Sequence, residues 1–313
     1  MRKFFFTFFF SLLVLFGRER FIQEIKLEGL ITNPKEEISG MDWYGEKLFL
    51  LPENLGGYLF MLSKNKIREH IILGRGSLKP KKTIFNTPDY SNFILGFDGF
   101  EALTFDGNDV YILIEAEQNG MMVGYLAWGS INPNSYEINI GEKNIQKVDT
   151  PIQIDNLSFE SIISHNKRLL ILYEANGSNL TEDTYQLSMS VNDLSLARIK
   201  SPNIEYRITD ATKVKNNKFW VINYYWPGDE KDLKPGLDRL RKDKDNDTNQ
   251  TIERLVEFKI KRNELKLTKN KPVDLILEEG SSRNWEAIVR FDDSGFLIAT
   301  DKYPRMILAY IKL

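Results

Sequence analysis

Five segments of the chain share one pattern of polar and apolar positions. Each opens with a small or acidic residue on a short strand, passes through a polar turn and continues into a strongly apolar strand. A polar turn between two apolar runs is typical of a β-hairpin. The second run is apolar without alternation, which predicts a strand buried on both faces. The segments are 39–53, 101–115, 160–174, 210–224 and 286–301.

The spacing of these segments predicts a β-propeller. Each interval between consecutive segments leaves room for two further strands, and no long amphipathic helix is evident. Four strands per repeat is typical of a propeller blade. We therefore predict an all-β fold, a single β-propeller of five four-stranded blades, with six blades as the alternative if one blade lacks the pattern. Because little chain follows the last segment, residues 21–27 are expected to close the last blade and to remove an exposed edge.

Two stretches of the chain stand apart from the repeat. A basic pair precedes an apolar run at 4–17, which is shorter than the roughly 20 residues of a membrane-spanning helix. Residues 1–20 are therefore predicted to be a signal peptide, or an N-terminal anchor if uncleaved, and the protein is expected to be secreted or periplasmic. Residues 21–313 form the predicted propeller domain, and the highly charged stretch 228–250 is predicted to project from it as a surface loop.

The composition of the chain excludes several kinds of functional site. The chain has no cysteine and two histidines, so disulfides, thiolate metal sites, a cysteine nucleophile and a three-histidine metal site are excluded. The formal net charge of −2 does not indicate a nucleic-acid partner. We expect no organic cofactor, and a monomer that contacts a membrane only through residues 1–20 if these are not cleaved.

Acidic side chains recur at both ends of the repeated segment. In a tight hairpin, residues equidistant from the turn face each other, so both ends lie at the same end of a blade. Because blades repeat around an axis, these side chains should converge on one mouth of the central channel. The first position supplies an inner acidic ring of predicted catalytic residues or metal ligands: Glu101, Glu160, Asp210 and Glu286. The last position supplies predicted ligand-binding residues just outside the ring: Glu53, Glu115, Glu174 and, one residue further on, Asp301.

The negative charge of such a ring of carboxylates must be compensated. Like charges repel and burial adds a desolvation cost, so a cation, basic side chains or protonation must offset them. Carboxylates suit hard divalent cations, so the predicted ion is Ca²⁺, with Mg²⁺ as the alternative. Arg283 and Lys302 are predicted to contribute basic groups for ligand binding, and Tyr224 and Trp226 an aromatic wall. The alternative for each single carboxylate is a structural role, in which it accepts backbone N–H bonds from the neighbouring blade.

The repeat also resembles a known family. A Ser-Gly-apolar step, followed by repeated elements in which Glu precedes a small residue and a strand ending in an acid, resembles the phytase-like, or esterase-like, β-propeller domain of secreted bacterial proteins. The matching elements are SGM at 39–41, FEAL at 100–103, FESI at 159–162, NWEAI at 284–288 and ATDK at 299–302. The family usually has Gly after the Glu, whereas this chain has Ala102, Ser161 and Ala287. The resemblance implies a propeller that uses calcium and acts on phosphate or carboxylic esters.

Three functions are open at this point. The propeller binds a small-molecule, glycan or protein ligand, or a cation, at its acidic mouth without catalysis. As a calcium-dependent phosphoesterase or esterase, it would use the metal to polarise the substrate and to lower the pKa of a bound water. As a glycoside hydrolase, it would use two converging carboxyl groups. Metal dependence separates the first two functions, and the distance between carboxyl groups identifies the third.

Overall fold

The computed structural model describes residues 20–241, 249–276 and 282–313. The predicted signal peptide or anchor therefore lies outside the described residues except for Arg20, as does part of the predicted charged loop. Among the helices that the structure describes, none is long and apolar enough to cross a membrane.

The described strands form five blades, each running from a central channel to the rim. Strand β1 (Ile22–Ile25) comes first along the chain and belongs to the last blade. The first blade contains β2 (Ile38–Tyr44), β3 (Lys47–Pro52), β4 (Tyr58–Ser63) and β5 (Lys81–Asn86). The second contains β6 (Phe97–Asp106), β7 (Asp109–Gln118), β8 (Met121–Ile131) and β9 (Ile138–Asp149). The third contains β10 (Phe159–His165), β11 (Arg168–Tyr173), β12 (Tyr185–Ser190) and β13 (Leu196–Lys200). The fourth contains β14 (Arg207–Ala211), β15 (Lys218–Tyr225), β16 (Ile252–Lys261), β17 (Glu264–Leu267) and the short β18 (Val273–Asp274). The fifth contains β19 (Trp285–Phe291), β20 (Gly295–Thr300) and β21 (Leu308–Lys312), completed by β1.

Helices are few and short among the described residues. Helix α1 (Lys64–Leu73) lies between β4 and β5, and α2 (Glu230–Leu233) follows β15. Three single 3-10 turns cover Leu30–Thr32, Tyr90–Asn92 and Pro227–Asp229. The last of these turns leads directly into α2, so helix is confined to connections between strands.

The propeller closes as predicted. The inner strands β2, β6, β10, β14 and β19 pack side by side, and β19 returns to β2. Strand β1 pairs with β21 along its whole length, from Ile22 opposite Ile311 to Ile25 opposite Leu308. The prediction of five four-stranded blades with an N-terminal strand in the last blade is confirmed. Pairing the two ends of the described chain in one blade removes the free edge that an open last blade would expose.

The apolar strands lack alternation because each blade has neighbours on both faces. Along β7, Val110 and Ile112 pack into the core shared with the first blade, whereas Tyr111 and Leu113 pack into the core shared with the third. Successive side chains of a strand point to opposite faces. A continuous apolar run is therefore what a strand sandwiched between two hydrophobic cores requires.

The inner strand of every blade carries a β-bulge at the first position of the repeat. The register of β6 against β7 shifts between Phe100 and Ala102, so Glu101 bulges out of the ladder. The equivalent breaks in the other blades fall on Ser39, Glu160, Thr209 with Asp210, and Glu286. Because a bulge re-aims a side chain and adds twist, it takes these positions out of the regular alternation of the inner strand.

The bulges displace the hairpin register that the sequence predicts. Glu115 lies opposite Gly99, and Glu174 exchanges backbone hydrogen bonds near Ser158 and not Glu160. The expected direct opposition of the first and last positions is therefore wrong by two residues. Both positions still lie at the same end of their blade, as predicted.

The charged stretch 228–250 is tied to the propeller in its described part. Leu233 is buried, and Asp238 forms a buried ion pair with Arg254 of β16 at 2.7 Å. These contacts hold the start of the stretch beside the channel, and they place Asp229 at the same end as the acidic bulges.

Candidate functional site

Arg207, the first residue of β14, organises the carboxyl groups at one end of the channel. Its Nη2 lies 3.8 Å from Oε1 of Glu160 and 3.8 Å from Oε1 of Glu286. Its Nε donates to Oε2 of Glu174, whose side chain is fully buried. We call this end of the channel the acidic mouth. Glu160, Glu174 and Glu286 lie around Arg207, and Glu101 lies close enough to Glu174 and Glu286 to be repelled by their charges. A single guanidinium from the fourth blade thus contacts carboxyl groups of the third and fifth blades.

The acidic mouth retains protons at neutral pH. Burial raises the pKa of Glu286 to about 8, and Arg207 opposes that rise. Burial also raises the pKa of Glu160 well above its ordinary value, with repulsion from Glu174 as the next cause. The pKa of Glu101 is raised in the same way by burial and by neighbouring carboxylates. One guanidinium cannot neutralise all these groups, so protonation supplies the remaining compensation.

Two predicted ligand-binding carboxyl groups, Glu53 and Glu115, form an outer layer. Burial and then a hydrogen bond to Glu37 raise the pKa of Glu53 to about 9. Burial raises the pKa of Glu115 to about 8, and its Oε2 lacks a hydrogen-bond partner within the described chain. Gly99 leaves room for Glu53, because a Cβ there would lie 2.5 Å from the Glu53 Cγ. Gly99, which lies opposite Glu115, is therefore sterically required for this outer layer of carboxyl groups.

Asp210 has a structural role and is not part of the acidic mouth. Its Oδ2 accepts the backbone N–H of Ile288 from the next blade at 2.7 Å. Asp42 makes the same contact with the backbone N–H of Phe105 at 2.9 Å. Asp210 therefore joins adjacent blades, which is the structural alternative considered for the ring carboxylates.

The predicted four-carboxylate metal site is not formed. Within the described ranges, no three acidic or histidine side chains are grouped so that they could share a metal ion. Two of the four predicted ligands, Glu160 and Glu286, face Arg207, and Asp210 is committed to the neighbouring blade. A calcium ion coordinated by these four residues has no support in this geometry.

A cavity of about 570 Å³ opens beside Arg207. Within it, Tyr224 Oη and Ser282 Oγ are 2.7 Å apart, and the Trp226 side chain is 51% exposed. The predicted aromatic wall is thus present. We call this space the mouth cavity, and its lining residues are Arg207, Tyr224, Trp226, Asp229, Ser282, Asn284, Tyr303 and Pro304.

The other predicted polar residues are engaged elsewhere. Arg283 turns away from the mouth cavity and forms a buried ion pair with Glu253 at 2.7 Å. Lys302 binds Glu37 at 2.6 Å. Asp301 accepts a hydrogen bond at 3.0 Å from an asparagine that lines the mouth cavity. Arg283 is consequently unavailable to hold an anionic group. Asp301 instead stabilises the wall of the cavity through its hydrogen bond with the lining asparagine.

Two residues of the site, Arg207 and Asp229, are absent from the sequence prediction. Arg207 lies opposite Tyr224 across the hairpin, so counting the register with the bulge would have found it. Asp229 lies three residues after Trp226, in the charged stretch that was assigned to solvent. Burial raises its pKa above the ordinary value, and its Oδ2 has no hydrogen-bond partner among the described residues.

We expect the protein to lose stability as the pH rises from about 5 to about 9. Burial holds the pKa of Glu53 at about 9 and those of Glu115 and Glu286 at about 8 in the folded state. In the unfolded chain, the pKa of a glutamate returns to about 4.3. Between these values the folded state binds more protons than the unfolded state, so the free energy of unfolding falls as pH rises.

Melting temperatures at constant ionic strength across this pH range measure the effect. Glu115→Gln should give a shallower fall than the wild type, whereas Glu142→Gln, at an exposed position, should leave the slope unchanged. A melting temperature that stays constant or rises up to pH 9 would contradict the raised pKa values.

The fold and the site together define a class: a five-bladed β-propeller with buried carboxyl groups around an arginine at one channel mouth. No family model and no curated protein matches the chain. Among solved structures, it is similar to an exo-1,5-alpha-L-arabinanase from a bovine ruminal metagenomic library, with 11% identity and a TM-score of 0.51 over 92% of this chain and 95% of that chain. It is also similar to the GH43_1 enzyme from Xanthomonas citri, with 6% identity and a TM-score of 0.51 over 92% and 90% of the two chains.

These similarities correct the resemblance that the sequence suggests. The matching structures are glycoside hydrolases of five-bladed propeller fold, and not phytase-like esterase propellers. At these identities the comparison establishes the fold alone. The Glu-small-apolar element that carried the resemblance coincides with the bulge on the inner strand, which every blade needs irrespective of family.

Proposed function

We propose that the protein is a glycoside hydrolase whose active site is the acidic mouth and its cavity. The observation that carries this proposal is the pair Glu160 and Glu286, which face one guanidinium nitrogen of Arg207. Their Oε1 atoms are therefore at most twice 3.8 Å apart. Glycoside hydrolases place two carboxyl groups about 5–5.5 Å apart for retention or about 6.5–9.5 Å apart for inversion. This upper limit on the distance between the two Oε1 atoms is compatible with the carboxyl separation of retaining enzymes and with the shorter separations of inverting enzymes.

The protonation of the pair suits this chemistry. With a pKa of about 8, Glu286 carries a proton at neutral pH and can donate it to the leaving oxygen. Glu160 and Glu286 share Arg207, so they titrate as a coupled pair. When one proton is shared between them, the second carboxyl group is ionised and serves as base or nucleophile. We assign the proton-donating role to Glu286 and the base or nucleophile role to Glu160. Because burial also raises the pKa of Glu160, this role requires that Glu160 lose its proton, which the charge of Arg207 favours.

The mouth cavity supplies a binding surface for a glycan. The side chains of Trp226 and Tyr303 at its lining are 51% and 65% exposed, although both are large aromatic groups. Aromatic rings with a free face bind apolar ligand surfaces, and the polar groups of the cavity fix orientation. The solved structures of similar fold support this choice, since one is an arabinanase and the other a family GH43_1 enzyme. The apolar segment 4–17 supports a secreted or periplasmic location for such an enzyme.

The proposal is tested by hydrolysis assays with the purified protein on nitrophenyl arabinosides and xylosides and on the corresponding oligosaccharides. We expect turnover of every substrate to be lost in Glu160→Gln and turnover of the oligosaccharides to be lost in Glu286→Gln, while exposed Glu142→Gln retains full activity. Turnover that survives in both variants would come from a contaminant or from another site. If wild-type protein binds glycans in the mouth cavity without hydrolysing any of them, the enzyme proposal is wrong and the binding alternative replaces it.

We expect Gly228→Ala to weaken substrate binding by removing the Trp226 platform. A Cβ at position 228 would lie 1.7 Å from the Trp226 ring, so the ring must leave its position over the glycine. The KM for an oligosaccharide should rise about tenfold, equivalent to about 1.4 kcal/mol, with a smaller change in kcat. Gly141→Ala is the control, because that glycine is exposed, lies outside the left-handed region, and its Cβ would meet only the end of the Asn144 side chain, at 3.0 Å. An unchanged KM in Gly228→Ala would remove Trp226 from the binding surface.

A further inference from the structure

A second cavity lies at the opposite end of the third and fourth blades. It has a volume of about 300 Å³ and is lined by residues of the hairpin turns and of the strands next to them. Strand β10 starts near the acidic mouth at Phe159 and ends at His165, which lines this cavity. The cavity therefore opens on the face opposite to the acidic mouth. We call it the turn-face cavity.

Basic residues are concentrated around the turn-face cavity. The turns 165–168, 215–218 and 260–263 contain six lysines and arginines and no acidic residue, although the whole chain has a net charge of −2. Two of the six, Lys215 and Lys218, form ion pairs with Asp293 and Glu257. Of these six, Arg168 and Arg262 line the cavity. The cavity lining contains no carboxylate, so the positive charge is not neutralised within it. Glu264, the nearest acidic residue of the adjoining strand β17, binds Lys266 at 2.7 Å.

Arg168 is held in a fixed orientation. Its Nε donates to Oγ of Ser188 at 2.7 Å, and its Nη2 donates to the backbone carbonyl of the same residue at 3.0 Å. The remaining nitrogen, Nη1, has no acceptor among the described residues. A guanidinium with two donors fixed by the protein and one unused is preorganised for an anionic oxygen, because little side-chain entropy is lost on binding.

Neutral donors complete the lining. The side chains of Asn166, Asn217, Asn263 and His165 line the cavity with the two arginines, and the Asn166 amide hydrogen-bonds Nε2 of His165 at 2.9 Å. Amides and imidazole N–H groups hydrogen-bond anionic oxygens without adding charge. The cavity thus combines two guanidinium groups with several neutral donors, and it is large enough for one small polyatomic group.

We propose that the turn-face cavity binds a small oxyanion, that is, a sulfate, phosphate or carboxylate group. Charge-assisted hydrogen bonds from arginine to such groups are short and directional, which suits the fixed Arg168 and the neighbouring Arg262. The site is separate from the acidic mouth, so this proposal holds whether or not the protein hydrolyses glycosides.

Calorimetric titration with sodium sulfate, sodium phosphate and sodium glucuronate tests the proposal, at an ionic strength held constant with sodium chloride. We expect saturable binding of at least one of these anions to the full chain. The preferred anion distinguishes a tetrahedral oxyanion from a carboxylate. Arg262→Asn should weaken its affinity about ten- to a hundredfold, because one charge-assisted hydrogen bond is lost.

The matched control is Lys167→Asn. Lys167 and Arg262 are both basic turn residues with a φ of 58°, and asparagine tolerates this left-handed conformation, but Lys167 does not line the cavity. Lys167→Asn should bind the anion as the wild type does. Equal affinity in Arg262→Asn and the wild type, or no saturable binding of any of the three anions, would overturn the proposal.

Discussion

Replacing Arg207 with leucine is expected to lower the free energy of unfolding by about 3 kcal/mol or more, because removing one partner of a buried ion pair costs about 3–5 kcal/mol. The Glu174 side chain has no solvent exposure, and the guanidinium of Arg207 is its charge partner. Without Arg207, the buried carboxyl group of Glu174 loses its charge partner and lies only beside other carboxyl groups. This loss destabilises the folded state, and urea unfolding at pH 7 measures it.

The control for Arg207→Leu is a double-mutant cycle with Glu174→Gln. Glutamine retains an oxygen that can accept the backbone N–H of Ser158, which Glu174 Oε1 accepts at 2.9 Å. The double variant should therefore be more stable than Arg207→Leu alone, and comparison of the double variant with both single variants gives the coupling energy of the pair. Arg198→Leu, which removes an arginine stacked on Tyr185, should cost far less. If Arg207→Leu and Arg198→Leu cost the same, the acidic mouth does not depend on its arginine.

The fold is predictable from the sequence because every blade of the propeller has the same local hairpin pattern. Each blade buries both faces of its second strand, so the runs 110–114 of β7 and 169–173 of β11 must be apolar, and this continuous pattern is visible without any tertiary information. The closing strand β1 follows from counting, since a propeller with an incomplete last blade would expose an edge. Both predictions depend on local sequence and on the number of strands, and both are confirmed.

The site is less predictable because the bulges shift its register. A hairpin counted without the bulge places Glu101 opposite Glu115 and leaves Arg207 outside the segment altogether. The structure instead places Glu115 opposite Gly99 and Arg207 opposite Tyr224. A bulge leaves no reliable sign in a single sequence, because the extra residue is accommodated by backbone geometry and not by residue type.

The second limit on predicting the site is that a single sequence does not show which charged residues pair with each other. Arg283 occupies the same position as Arg207, three residues before the acidic member of its repeat, and sequence alone gives both the same expectation. In the structure Arg283 instead pairs with Glu253, which comes from β16 of the preceding blade. Which carboxylate an arginine reaches depends on strands that are distant in sequence, so long-range packing decides between a binding role and a structural one.

The largest effect on activity is expected from Glu286→Gln. If Glu286 donates the proton to the leaving oxygen, its loss should lower kcat by about 10²–10⁴-fold on substrates with a poor leaving group. Substrates with a good leaving group, such as a dinitrophenyl glycoside, need little protonation and should lose much less. Steady-state kinetics on both kinds of substrate measure the ratio, with Glu115→Gln as a control that alters a buried carboxyl group outside the reacting pair.

The pH dependence of the wild type tests the same assignment independently. Because Glu286 must be protonated in the free enzyme, kcat/KM should fall as the pH rises through about 8, which is its pKa in the folded protein. This descending limb should be absent from the residual activity of Glu286→Gln, since glutamine does not titrate. Equal losses of kcat on good and poor leaving groups, together with an unchanged descending limb, would show that Glu286 positions other groups and does not donate the proton. In that case the coupled carboxyl groups around Arg207 would still define the site, but the acid would have to be sought in Glu160.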